Sequence, residues 1–146
     1  MRFYSSKKKF YCGADLHARD IYICIMDQDH NILVHRRLRR QSTDLLLKIL
    51  EPFKDSIVIG AESCFAYYWL ADFCDDHEFE FILGHALYMK AIHGGKAKND
   101  RIDSKKISLL IQSGMFPLAY VYPKEKRSLR DLLRRRLFFV RSRAIL

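Results

Sequence analysis

Two carboxylates, Asp100 and Asp103, stand three residues apart in Lys96-Ala97-Lys98-Asn99-Asp100-Arg101-Ile102-Asp103-Ser104-Lys105-Lys106, with basic residues on both sides. On a helix, positions i and i+3 share a face, so both acids would project into one space. Like charges that close raise each other's pKa unless a cation lies between them. A divalent ion would remove the conflict, and the flanking lysines would suit a phosphate chain. The spacing reads as half of a metal site for nucleic-acid chemistry. The plainer alternative is an acidic first turn that complements the helix dipole.

Two further acids could complete such a site. Asp15 lies at the end of an apolar run, residues 10–16, and Glu62 directly follows Ser56-Ile57-Val58-Ile59-Gly60-Ala61. A continuous run of the second kind suits a central strand covered on both faces, and a charge at its end needs a partner. If the two strands lie side by side, Asp15 and Glu62 reach one edge of the sheet, where ligand sites of α/β folds form. Asp100 and Asp103 on a helix over that edge would bring four carboxylates into one pocket. Several carboxylates suit a pair of Mg2+ (or Mn2+) ions about 4 Å apart, with water and phosphate completing each shell. Asp15 could instead be a strand-end cap.

Other chemistries fit less well. His17, His35, His77, His85 and His93 show no HxH or HxxxH spacing, which argues against zinc. Ser63 has neither a visible base nor nucleophile-elbow glycines. Gly94-Gly95-Lys96 lacks the upstream glycine and the following hydroxyl of a P-loop.

The elements that must position these acids can be read from periodicity. Residues 1–9 form a basic arm expected to be loose. Strands are predicted over 10–16, 21–26 and 32–38, close enough in sequence for an antiparallel meander. A helix capped by Ser42 or Thr43 should run to Leu50 and stop near Pro52. The strand before Glu62 is followed by a helix over 67–74, a strand over 79–83 and a helical turn or two over 86–92. Ile102, Ile107, Leu110 and Ile111 give the next helix its apolar face, which stops at Gly114. Residues 115–123 read as an apolar connector, and a final helix starts at Lys124. This order predicts a mixed α/β sheet with a three-strand meander, flanking helices and a basic C-terminal helix. Ribonuclease-H-like domains share the order, as do other mixed folds. The domain proper would span 10–123.

The 146 residues suit one domain, and 18 Phe and Tyr supply bulky core filling. Lys and Arg outnumber Asp and Glu by 26 to 17, which favours a polyanionic partner. Residues 124–146 hold nine of the basic residues against two acids, a net +7 out of +9. The four cysteines form no CxxC pair and sit in apolar runs, as in reduced cytoplasmic proteins. No run approaches the roughly 18 apolar residues of a membrane span, and the start of the chain lacks the apolar core of a signal peptide. A cytoplasmic location and no membrane partner are expected.

Three motifs carry a resemblance: Gly13-Ala14-Asp15-Leu16-His17, Ala61-Glu62-Ser63, and Gly95-Lys96-Ala97-Lys98-Asn99-Asp100-Arg101-Ile102-Asp103. Tyr68-Trp69-Leu70, Arg127, Leu129-Arg130 and Leu132-Leu133-Arg134-Arg135-Arg136 extend it over nearly the whole chain. Together they resemble the N-terminal RuvC-like domain of DEDD-type insertion-sequence transposases, which implies a ribonuclease-H-like (RuvC-like) fold. That family includes relatives of the pilin-gene DNA invertase and the bridge-RNA-guided recombinases. Ser104 stands where the family commonly has Ala. The resemblance implies that Asp15, Glu62, Asp100 and Asp103 form a catalytic and metal-binding tetrad in a DNA recombinase. It also implies contacts to DNA and to a guide (bridge) RNA, and a site shared with a serine from a second domain. Because the chain ends inside a helix, the expectation is a fragment or the product of a decayed gene, inactive alone; a homo-oligomer is expected as well. Lys96, Lys98, Arg101, Lys105, Arg127, Arg130, Arg134 and Arg135 are the expected nucleic-acid contacts. A stand-alone Holliday-junction-resolvase-like nuclease and a non-catalytic nucleic-acid-binding module are the alternatives. Mutual repulsion of the acids further predicts that residues 96–106 stay partly mobile until a cation arrives.

Overall fold

Short connections join β1 (Phe10–Leu16), β2 (Asp20–Asp27) and β3 (Ile32–Arg39) into the predicted antiparallel meander. This computed structural model describes residues 1–93 and 100–145, with only the backbone described at Ala91, His93 and Asp100. Lys96, Lys98 and the expected mobility of 96–99 therefore lie outside the described residues. At the β2–β3 turn, Asp27 Oδ1 accepts hydrogen bonds from the Asp29 and Asn31 N–H groups. His30 between them takes φ 66°. Helix α1 (Thr43–Leu50) and a 3-10 turn at Glu51–Ser56 carry the chain back across the sheet to β4 (Ile57–Glu62), which pairs parallel with β1. Next come α2 (Tyr67–Asp76), β5 (Glu80–Gly84) parallel to β4, α3 (Ala86–His93), α4 (Asp100–Gln112), β6 (Leu118–Ala119) and α5 (Lys124–Ile145). The strand order is β3-β2-β1-β4-β5-β6.

The sheet is covered on both faces, which explains the unbroken apolar run of β4. On one face Leu46 and Leu50 of α1 and Leu70, Phe73 and Cys74 of α2 cluster with Ala14, Ile23 and Ile59. On the other, Ile107, Leu110 and Ile111 of α4 cluster with Tyr11 and Val58. Successive strand residues alternate between faces, so β1 sends Cys12 and Ala14 to the first layer and Tyr11, Gly13 and Asp15 to the second.

Two glycines set how closely α4 approaches. Gly13 and Gly60 are direct partners across β1 and β4. A Cβ at Gly13 would run into the Ser104 carbonyl oxygen and the Ser108 nitrogen of α4. At Gly60 it would meet the Ile111 Cδ1 at 2.5 Å. The buried Ser108 uses the space: its Oγ accepts from the Gly13 N–H at 2.8 Å and donates to the Cys24 carbonyl at 2.6 Å.

Two expectations are corrected. The first residues do not hang loose: Phe3 bridges to Pro117, the Tyr4 N–H donates to the Phe116 carbonyl, and Tyr4 is buried beneath α4's layer. Its hydroxyl donates to Glu80, which also pairs with Lys8 at 2.6 Å. The supposed connector 115–123 contains β6, a two-residue strand whose backbone satisfies the edge of β5. Both misreadings share a cause: these segments gain structure only from each other and from β5, and have no periodicity of their own. Helix α5, about 33 Å long at 1.5 Å per residue, buries none of its residues.

Candidate active site

The β1–β4 register fixes the core of the site. Paired positions run from Phe10–Ile57 to Ala14–Ala61, and the next residues in that register are Asp15 and Glu62. Gly13 and Gly60 face α4, so Asp15 and Glu62, two residues further on, face the same side. Here the chain turns outward in opposite directions, from β1 toward β3 and from β4 toward β6. The crevice beyond the carboxyl ends of strands at such a switch point is where open α/β sheets place ligands.

Helix α4 brings its first turn to this crevice. Arg101 and Ser104 reach His35 in the row of Gly13, whereas Gln112 donates to the Gln28 carbonyl beyond the start of β1, so α4 runs back along β1 with its N-terminus toward the Asp15 end. Asp103 directly precedes Ser104 and is half-exposed, with Lys106 Nζ at 3.9 Å from its Oδ1. Asp100 is the first residue of α4, one turn before Ser104. Ser104, fully buried, shows why a hydroxyl is tolerated at its position. Its Oγ donates to the Arg101 carbonyl at 3.1 Å and lies 3.3 Å from His35 Nε2, which itself bonds that carbonyl at 2.8 Å. The α4 N-terminus is thereby tied to β3. Among the described residues, no three His, Cys, Asp or Glu side chains are gathered closely enough to hold a metal ion. The β1–β4 register sets Asp15 beside Glu62, and Asp103, in the first turn of α4, does not close a three-ligand group with them.

Sequence reasoning missed two neighbours. His17 Nε2 lies 3.0 Å from Asp15 Oδ2. The i, i+2 spacing on a strand was the available signal, since it puts both side chains on one face. Cys64 is half-buried just beyond Glu62, and burial pushes its thiol up, with the Glu62 and Asp15 charges adding to the effect. Cys12, Cys24 and Cys74 are buried. Alkylation of the native protein by iodoacetamide at pH 8 should therefore mark Cys64 first, more slowly than a free thiol. Peptide mass mapping reads the order, and prior labelling of Cys12 or Cys74 would contradict this packing.

The expected nucleic-acid contacts divide into two groups. Arg127 donates to Asp72 Oδ1 at 2.8 Å and to the Tyr122 carbonyl at 2.9 Å, with its guanidinium over the Tyr68 ring. Arg130 donates to the Tyr68 hydroxyl at 2.6 Å and to Asp131 at 2.9 Å. These two guanidiniums fasten the root of α5 to α2. Arg134 and Arg135 lie exposed further along α5, and Arg101 and Lys105 are exposed on α4.

A family model described as a transposase, of the DEDD IS110 type, matches residues 12–146. The chain belongs to this transposase family. Its fold is similar to that of T. thermophilus RuvC, solved in complex with a Holliday junction substrate, with a TM-score of 0.54 and 11% identity. That match covers 75% of this chain and 99% of RuvC. A second Thermus thermophilus RuvC structure gives a TM-score of 0.49 at the same identity and coverage. The transposase-family domain is thus ribonuclease-H-like in fold, as the resemblance implied. No curated protein matches it by sequence. None of its described helices is long and apolar enough to cross a membrane.

Proposed function

We propose that this chain is the metal-dependent, DNA-acting domain of a transposase or site-specific recombinase. The observation that carries the reading is the same-face adjacency of Asp15 and Glu62 at the sheet's switch point, beside the N-terminus of α4. Asp15, Glu62, Asp103 and Asp100 are the residues assigned to hold the metal. Their donors are hard carboxylate oxygens, the set that suits Mg2+ or Mn2+. The chemistry such an ion supplies is charge neutralisation at the attacking and leaving oxygens of a phosphodiester. The chain's own contribution is placement: β1 and β4 fix two carboxylates, His17 orients one of them, and the glycine pair sets the depth of α4. The RuvC likeness and the +9 charge support DNA as the partner. A serine nucleophile from another domain, a guide RNA and a homo-oligomer complete the reading through the family resemblance.

The RuvC fold also favours a second reading, a junction-cleaving nuclease that works without a serine. Cleavage of a four-way DNA junction by this chain alone would select it. Titration calorimetry with Mn2+ tests what both readings share. Wild type should give a saturable heat that Asp15→Asn and Glu62→Gln each lose while remaining folded. Unchanged heats in both variants would overturn the metal assignment.

A further inference from the structure

A second basic surface lies beside the carboxylates, on elements that neither α4 nor α5 accounts for. Asp15 pairs with Tyr22 across β1 and β2, and Tyr22 pairs with Arg37 across β2 and β3. Directly paired residues share a face of the sheet. Glu62, Asp15, Tyr22 and Arg37 therefore form one row across four strands, on the face that α4 covers. His35, two residues before Arg37, confirms the face through its bond to the Arg101 carbonyl. At about 4.8 Å between strands, Arg37 lies about 10 Å from Asp15.

Around this end of the row the surface is arginine-rich. Two open clefts share Arg19: one of about 380 Å³ includes His17, Tyr22 and Arg37 in its lining, the other of about 400 Å³ Arg39 and Arg40. All four arginines are exposed. Asp20 is the one acid among the described residues lining these clefts, and it is ion-paired with Arg37. Guanidinium groups bind phosphate oxygens in a bidentate fork, which suits them to a polyanionic chain better than point charges would. The clefts are open to solvent and adjoin at Ala18 and Arg19, so they fit a backbone passing across rather than an enclosed small molecule. The bland account is that arginines on an edge strand only block edge-to-edge aggregation. That account leaves unexplained why Arg37 shares a row with the carboxylates.

We propose that Arg19, Arg37 and Arg39 form a track for the phosphodiester backbone of the DNA that the Asp15–Glu62 site acts on. With a rise of about 3.4 Å per nucleotide, the 10 Å offset places Arg37 about three nucleotides from the reacting phosphate. The proposal rests on the reading of the site as DNA-acting.

The test uses the full chain, a fluorescein-labelled four-way DNA junction, and calcium in place of magnesium to hold off cleavage. Anisotropy titrations at several salt concentrations give affinity and its salt slope. Arg37→Gln/Arg39→Gln should bind more weakly, with the logarithmic salt slope reduced by about two, one for each arginine–phosphate pairing removed. Because Arg37 also pairs with Asp20, a second variant, Arg19→Gln/Arg39→Gln, checks the result without breaking that pair. Asp20→Asn should bind more tightly. Wild-type affinity and slope in both double variants, with unchanged melting, would overturn the track. So would a weakened affinity with no change in slope. Mn2+ heats should stay at wild-type values in both double variants. If they persist in Asp15→Asn, the metal reading fails while the slopes still decide the track.

Discussion

Asp15→Asn and Glu62→Gln should each lower metal-dependent cleavage or exchange of DNA strands by at least about 10³-fold. A metal at a reacting phosphodiester is worth several kcal/mol of transition-state stabilisation, and each 1.36 kcal/mol is a factor of ten in rate. The amides keep the shape of the site, so DNA affinity measured in calcium should stay within a few-fold of wild type. His17→Ala should cost less, about 10- to 100-fold, because it orients an acid rather than holding a metal. Its 3.0 Å approach to Asp15 Oδ2 is the basis for that distinction. Single-turnover assays with the complete recombination machinery measure all three. Wild-type rates in Asp15→Asn would remove the site from the chemistry, and a larger loss at His17 than at Asp15 would reverse the roles.

Gly13→Ala should destabilise the domain by about 3 kcal/mol, near the upper end of the cost of overpacking a core. Gly60→Ala should cost about 1 kcal/mol, near the lower end. The asymmetry follows from what each new methyl group would strike. At Gly13 the obstacle is the backbone of Ser104 and Ser108, and it can yield only if α4 moves as a body. At Gly60 the nearest atom is the tip of the Ile111 side chain, which can rotate. Urea unfolding monitored by circular dichroism gives both values. Gly13→Ala should also weaken Mn2+ binding in the protein that remains folded, because the first turn of α4 moves away from Asp15. Equal costs at the two glycines would mean that α4 does not pack as closely as this structure places it.

The low-pH side of stability has a local contribution at the β2–β3 edge. The Arg37 hydrogen bond holds the Asp20 carboxyl below its ordinary value of 3.8. A carboxyl lowered in the folded state contributes stability above that ordinary value and loses it as pH falls through the folded one. The pair lies at the surface, so its part in acid unfolding is small.

Much of this protein was already decided locally. The three-strand meander, the central β4 and the amphipathic α4 follow from alternation, a continuous apolar run and helical spacing, all of which operate over a few residues. Asp15 and Glu62 stood out for the same reason, as charges at the ends of strands that must be buried. Tertiary structure alone decided which charges are shared. It tied Arg127 and Arg130 to α2, although their place in a basic helix had suggested DNA contacts. It also brought Tyr4 and the β6 segment together across most of the length of the chain. Arg37 shows the limit most clearly. In the sequence it is one arginine among several in 36–40, and only the pairing of β1 with β2 and β2 with β3 sets it in line with Asp15. Register is a long-range property, fixed by which faces the packed helices bury, and a slip of one residue would turn every one of these side chains to the other face.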